Sequence, residues 1–416
     1  MDLEQKGWFK RLLEVYSIKN KEVKNDKPSY LYKEIQPTGL MYGQPSLPKE
    51  FKTAEFRELD TAGKMKIVLL NGFIKTAIFP SDDLIPDDPD QFLHYLSNSL
   101  VEYYTKVVPN RKIRDRNFWG KKLSNEEMIE SMLNERLDIE SPDPNNFWFN
   151  FFNHSLLFLD VFFFGEWIVR KESGTNLESI QSERDNMHVL LLQIMAAAAH
   201  ADETLQEEEQ ELFNHFLASA HLPEELEKKA KQFIIEGTKI KDIHTEHIEN
   251  WILKKYLLEL AVLTIWADKV VTEEEQAFIS VLAKQLGFSD DELQSSMAAI
   301  ESFVITNWSD VPFIQEKNTF STISDGFIHR ISVVAKKNQG RIAKEIKESE
   351  ELMQLLIKST HESLTEDEKI KVRAQLIDIL KVLPTFVLIA LPGSFLTLPL
   401  LLKVLPKSVL PSAFQE

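Results

Sequence analysis

The sequence contains no cysteine, which excludes disulfide bridges, thiolate metal sites and cysteine nucleophiles together. Glycine is scarce, 13 residues in 416, and alternating β-branched runs are few, so there is little provision for a turn-rich β architecture. Positive charge is in deficit as well: 48 Lys and Arg stand against 65 Asp and Glu, for a net charge of −17. Such a molecule is repelled by a phosphate backbone, and no nucleic-acid partner is expected. The opening residues MDLEQKGWFKRLLEVYS carry charge throughout and lack the apolar core of a secretory signal, so the N-terminus is expected to stay cytosolic. The phosphate cradles G-x-x-x-x-G-K-[ST] and G-x-G-x-x-G, the zinc helix H-E-x-x-H and the hydrolase elbow G-x-S-x-G are also absent. No catalytic residue and no organic cofactor is assigned, and the chain reads as non-enzymatic.

What is present is helical periodicity almost throughout, and the fold class is all-α. Residues 1–60 read as an irregular lead-in with one helix from Gly7 to Tyr16, and 61–178 as an N-terminal helical domain. In the latter, Phe92, Leu93, Leu96, Leu100, Tyr103 and Tyr104 recur at the spacing of one buried helix face. The most aromatic run, NNFWFNFFNHSLLFLDVFFFGEWIVRKE, is expected to be the central core helix of that domain. His154 and Asp160 within it, six residues apart and so on different faces, are expected to be hydrogen-bonded core groups rather than one site.

From residue 179 to 305 the chain repeats itself. AHADETLQEEEQELFNHFL matches IWADKVVTEEEQAFISVLA at a constant offset of 66, so that Asp202 and Glu209 recur as Asp268 and Glu275. Each copy reads as an apolar helix, a turn opened by Asp, a lone aliphatic residue (Leu205 or Val271) and an acidic start to a second helix. Thr272 with Glu275, and Ser289 with Glu292, are spaced as capping boxes, and Gly287 reads as a helix stop. This pattern, A-D-x-x-aliphatic-x-x-x-E, resembles the TerB-like domain of tellurite-resistance proteins, a pseudo-symmetric helical bundle in which paired acidic turns have been associated with metal ions. The resemblance implies Asp202, Glu209, Asp268 and Glu275 as oxygen ligands for Ca²⁺ or Mg²⁺. Glu203 and Lys269 stand where the family has glycine, and the four carboxylates serve equally as helix caps on a solvated face. His244 and His247 form an H-x-x-H pair without an evident third ligand.

Residues 306–363 read as connecting helices, with Lys336, Lys337, Arg341, Lys344 and Lys347 on a mixed-charge, solvated stretch. In the last part, 364–416, the residues from Val382 to Leu402 form a run of 21 without charge, broken by Pro384, Pro392 and Pro399. Leu364, Thr365, Glu368, Asp378, Ile379, the prolines with Pro406 and Pro411, and Phe414 are together similar to the transmembrane region of the mitochondrial leucine-zipper and EF-hand transmembrane family. The acidic repeat joined to this motif also resembles that family's biofilm-associated bacterial relatives. The resemblance implies contact with a bacterial cytoplasmic membrane through residues 382–402, the bulk of the chain being cytosolic, and a setting in surface growth and cation homeostasis. Carbonyls released by the prolines want partners, which points to a protein partner or to homo-oligomers. The expected function is a membrane-associated scaffold or sensor with a divalent-cation response. A component of membrane cation transport is one alternative; a soluble cytoplasmic binding protein whose tail is buried in its own core is the other.

Overall fold

The computed structural model describes residues 3, 5–15, 28–78, 88–108, 115–116, 120–138, 152–201, 207–266, 273–307, 317–381 and 397–410. Every regular element among them is helical, and the one extended pairing is an isolated bridge between Arg116 and Lys122. The all-α expectation holds. Two compact units divide the chain, Met1–Ile279 and Ser280–Glu416.

In the first unit, α1 (Trp8–Val15) lies where the periodicity placed it and buries Trp8, Phe9, Leu12 and Leu13. From residue 28 the expected lead-in is ordered by packing: α2 (Pro28–Ile35) is followed by tight 3-10 turns at 36–38 and 40–42, and Tyr32, Met41 and Tyr42 are fully buried. The short α3 (Ala54–Arg57) leads to α4 (Thr61–Ile78). Next comes α5 (Pro89–Val107), which Asp88 caps by accepting a hydrogen bond from the Gln91 amide; all six residues of its expected apolar face are buried. Ser124 and Glu127 form a reciprocal capping box at the start of α6 (Asn125–Leu137).

The aromatic run becomes α7 (Leu157–Ser173), while residues 145–151 at its expected start lie outside the described residues. It is the core helix of this unit, packed on α4, with Phe73 and Tyr103 meeting Phe164 edge-on at centroid distances of 5.2 and 5.6 Å.

The repeat follows as α8 (Ser179–Ala199), α9 (Glu207–Ala220) and α10 (Glu224–Glu236), then α11 (Trp251–Trp266), α12 (Glu273–Gln285) and α13 (Asp290–Thr306). The offset of 66 holds in the helix starts, Glu207 with Glu273 and Glu224 with Asp290, so the repeat extends to a third helix whose sequence identity has faded. The expected box of Ser289 and Glu292 caps α13, and α12 closes on Gly287, where the Phe288 amide reaches back to the Ala283 carbonyl.

Within the second unit, α13 packs on α14 (Lys317–Lys337). Then come α15 (Gln339–Glu348), α16 (Glu350–His361), α17 (Glu366–Lys381) and the seven-residue α18 (Leu398–Val404). Phe327, Ile331, Ile342, Ile346, Leu352, Leu376 and Leu401 share one hydrophobic cluster.

Gly43 holds the first unit's entry segment in place. It has φ +74°, and a Cβ there would lie 2.1 Å from the carbonyl oxygen of Asn153. Gly120 has φ +75° with open space around it. Gly120→Ala is therefore expected to cost about 1 kcal/mol, the left-handed backbone penalty alone, and Gly43→Ala at least twice that. Urea denaturation of both variants checks the contrast; equal costs would mean that residue 43 does not abut the 152–153 backbone.

Candidate functional site

Of the four carboxylates expected at the acidic turns, Asp202 and Asp268 lie outside the described residues, as does Thr272. Glu209 and Glu275 are each the third residue of their helix, α9 and α12, and both are buried, whereas Glu207, Glu273 and Glu274 are exposed. Among the described residues of the acidic runs, one carboxylate per copy points inward while Glu207, Glu273 and Glu274 face solvent. Among the described residues no three His, Asp or Glu side chains gather as a cation site. His244 and His247 are exposed and lie outside any helix, so their spacing does not set two imidazoles on one helical face.

The strongest electrostatics of the first unit lies in its interior. Asp160 on α7 is fully buried and is held from both sides: Arg136 Nε, at the end of α6, donates to Oδ2 at 2.7 Å, and Arg184 Nη2, on α8, donates to Oδ1 at 3.1 Å. The Tyr104 hydroxyl adds a third donor at 3.3 Å. Burial pushes the Asp160 carboxyl up, but the two guanidinium groups outweigh it and hold the acid well below its ordinary range. His154, with φ +69°, donates through Nε2 to the Leu137 carbonyl at 2.8 Å. Burial lowers it to about 4, against the opposing effect of that hydrogen bond. His188 is driven well below its ordinary value by burial first and by Arg184 second. Both residues singled out in the aromatic run are therefore hydrogen-bonded core groups.

A second buried cluster centres on Glu259 of α11. It accepts from the Tyr32 hydroxyl and, at 2.7 Å, from the Tyr42 hydroxyl, with Lys255 Nζ at 3.6 Å one turn away. Burial raises the Glu259 carboxyl, and Lys255 and the two tyrosines only partly offset it. The Lys255 ammonium also stands over the Tyr32 and Trp251 rings, 5.5 and 5.7 Å from their centroids. Both clusters tie helices together, and their carboxylates are engaged by groups of the same core.

The C-terminal apolar run divides differently from expectation. Residues 382–396 lie outside the described residues, but Thr397 is extended (φ −68°, ψ 154°) and α18 starts afresh after it with Pro399 in its first turn. Pro399 would remove an amide and clash in the middle of a helix, whereas in a first turn it costs nothing, and a helix start at Leu398 accommodates it. Leu401, Val404, Leu405, Val409 and Leu410 are buried in the same hydrophobic cluster as Leu376 and Leu380 of α17, and α18 packs on both α14 and α17. Among the described residues no helix is long and apolar enough to cross a membrane.

Two residues passed over in the sequence, Lys284 and Arg330, line an open cavity of about 590 Å³ in the second unit, and a third, Glu301, pairs with Arg330. The trace they leave in the sequence is slight: a glutamate inside the apolar run AAIESFVI. Compared with family models, with curated proteins and with solved structures, the chain matches none.

Asp160→Asn is expected to destabilise the first unit by about 3–5 kcal/mol, because it leaves two buried guanidinium groups without their carboxylate; chemical denaturation followed by tryptophan fluorescence measures it. The buried histidines favour folding at higher pH, opposite in sign to the raised Glu259 carboxyl, so a His154 variant isolates the histidine part. An unfolded histidine titrates near 6.5 and the folded His154 near 4, so its contribution is complete above pH 6.5 and is lost as the pH falls toward 4, at about 3 kcal/mol in full. Asp160, also lowered, contributes above about pH 3.9 and fades only below it. Denaturation midpoints at pH 7.5 and 4.5 are expected to differ less in His154→Gln than in the parent chain.

Proposed function

We propose that the chain is a non-enzymatic helical scaffold or sensor that attaches to a membrane through the uncharged segment 382–396, touching it from one face. The observation that supports this reading is the packing of the two flanks. Leu380, just before the segment, and Leu401, just after it, are buried in one hydrophobic cluster. A single crossing would part them by roughly 30 Å of hydrocarbon and empty that cluster. An apolar segment entered and left from the same body is suited to insertion from one side. Lys336, Lys337, Arg341, Lys344, Lys347, Lys403 and Lys407 are exposed on the same unit, and α15 packs on the turn at 407–409, which suits an anionic lipid surface. The setting in surface growth and the divalent-cation response belong to the same proposal and rest on the family resemblance.

A second reading, a soluble binding protein whose tail closes its own core, is favoured by the burial of Leu401, Leu405 and Leu410. Flotation with vesicles containing anionic lipid separates the two. The full chain is expected to float, and a variant with 382–396 replaced by a Gly-Ser linker of equal length to stay in solution. A full chain that stays behind leaves the second reading standing.

Because the chain has no cysteine, Ser363→Cys and Ser408→Cys give clean single labels. A membrane-impermeant maleimide is expected to reach both from the same side of sealed vesicles. Labels on opposite sides would sink the one-face attachment.

A further inference from the structure

The second unit differs from the first in charge. Residues 280–416 hold 15 of the 48 Lys and Arg and 17 of the 65 Asp and Glu, so almost all of the excess acid lies before residue 280. An anion is therefore not repelled by this unit as a whole, and the cavity within it concentrates cations. The cavity lies between the last turns of α12, the first turns of α13 and one face of α14. Lys284, His329, Arg330 and Lys337 line it, with Asp290 as the one lining carboxylate. Leu293 and Val333 supply an apolar wall.

The carboxylates that balance two of these cations are set away from the lining. Lys337 pairs with Asp291, and Arg330 Nε donates to Glu301 Oε1 at 3.0 Å. Arg330 Nη1 donates to Gln294 Oε1 at 2.5 Å, which fixes the guanidinium plane from a second direction. Glu301 is buried behind Arg330's pairing side, and its Oε2 has no hydrogen-bond partner. It lies flush against α14 at Gly326, one turn before Arg330, where a Cβ would come within 2.9 Å of Oε1. Burial raises the Glu301 carboxyl to about 7 in spite of Arg330, so at neutral pH it neutralises the guanidinium only in part. Lys284 is exposed and pairs with no carboxylate among the described residues.

A fixed guanidinium, an unpaired ammonium and an apolar wall in one concave surface suit a ligand with a compact dianion at one end and an apolar body at the other. A monocarboxylate would leave the lining cationic; a phosphate monoester would balance it. We propose that this cavity binds an organic phosphate monoester, with Lys284 and Arg330 holding the phosphate and Leu293 and Val333 receiving the body of the ligand. The proposal stands independently of membrane attachment, since its residues lie on α12, α13 and α14.

The test is calorimetric titration of the full chain with adenosine 5′-monophosphate at pH 7.5, with adenosine as the uncharged control, beside binding to phosphatidylcholine vesicles carrying phosphatidic acid. Saturable heat with the nucleotide and none with adenosine is expected. Lys284→Ala, at an exposed position, is expected to weaken binding about tenfold, the effect of losing one close charge partner. Glu301→Gln, which removes the carboxylate competing for Arg330 without touching the lining, is expected to tighten it about threefold; a merely structural Glu301 would not do so. Binding to phosphatidic acid that is lost in Lys284→Ala, with a silent nucleotide, identifies a lipid headgroup as the source of the same phosphate chemistry. No Lys284-dependent binding to either probe overturns the proposal.

Discussion

Asp160 is the constraint on which the first unit depends. Burying one carboxylate and two guanidinium groups is costly, and the cost is met only while all three stay in register. That register fixes the end of α6 and the first half of α8 against the middle of α7, and the Tyr104 hydroxyl adds α5. The aromatic packing of α4, α5 and α7 closes around the same point. Apolar contacts alone tolerate sliding by a turn, but the paired charges do not. The Glu259 cluster does for α2 and the 36–42 turns what Asp160 does for α6 and α8, docking them on α11 through two tyrosine hydroxyls.

Much of this was legible in the sequence wherever the cause was local. The face of α5, the box at Ser289, the stop at Gly287 and the repeat at an offset of 66 are each where pattern placed them, while the equally local box at Ser124 and Glu127 was passed over. The burial of His154 and Asp160 followed from polar groups in an aromatic run. Their partners did not, because Arg136 and Arg184 are ordinary basic residues at the ends of charged segments until the fold brings them inward. Residues 28–42 looked irregular because their order comes from Tyr32 and Tyr42 meeting a glutamate more than two hundred positions away. In the C-terminal run, composition weighs Leu401 as apolar length, while the structure uses it as a core residue, a distinction that only the packing of α14 and α17 supplies.

Charge is unevenly distributed, and this bears on how the second unit meets other molecules. With the excess acid placed before residue 280, the second unit can present exposed lysines and a cation-lined cavity without the long-range repulsion that the net charge of −17 suggests. Global composition averages over this asymmetry and hides the near-neutral balance of the second unit.

The spacing of the two buried clusters carries a kinetic consequence. Arg136 and Arg184 each stand 24 residues from Asp160, one on either side, whereas Tyr42 and Glu259 are 217 apart. Closing the longer loop costs about 2 kcal/mol more in chain entropy than closing one of the shorter ones. On loop entropy alone, the segment from α6 to α8 is expected to close around its ion triad before Tyr32 and Tyr42 dock on Glu259. A chain emerging from the ribosome would in that order hold a charged core before its two tyrosines had found their place.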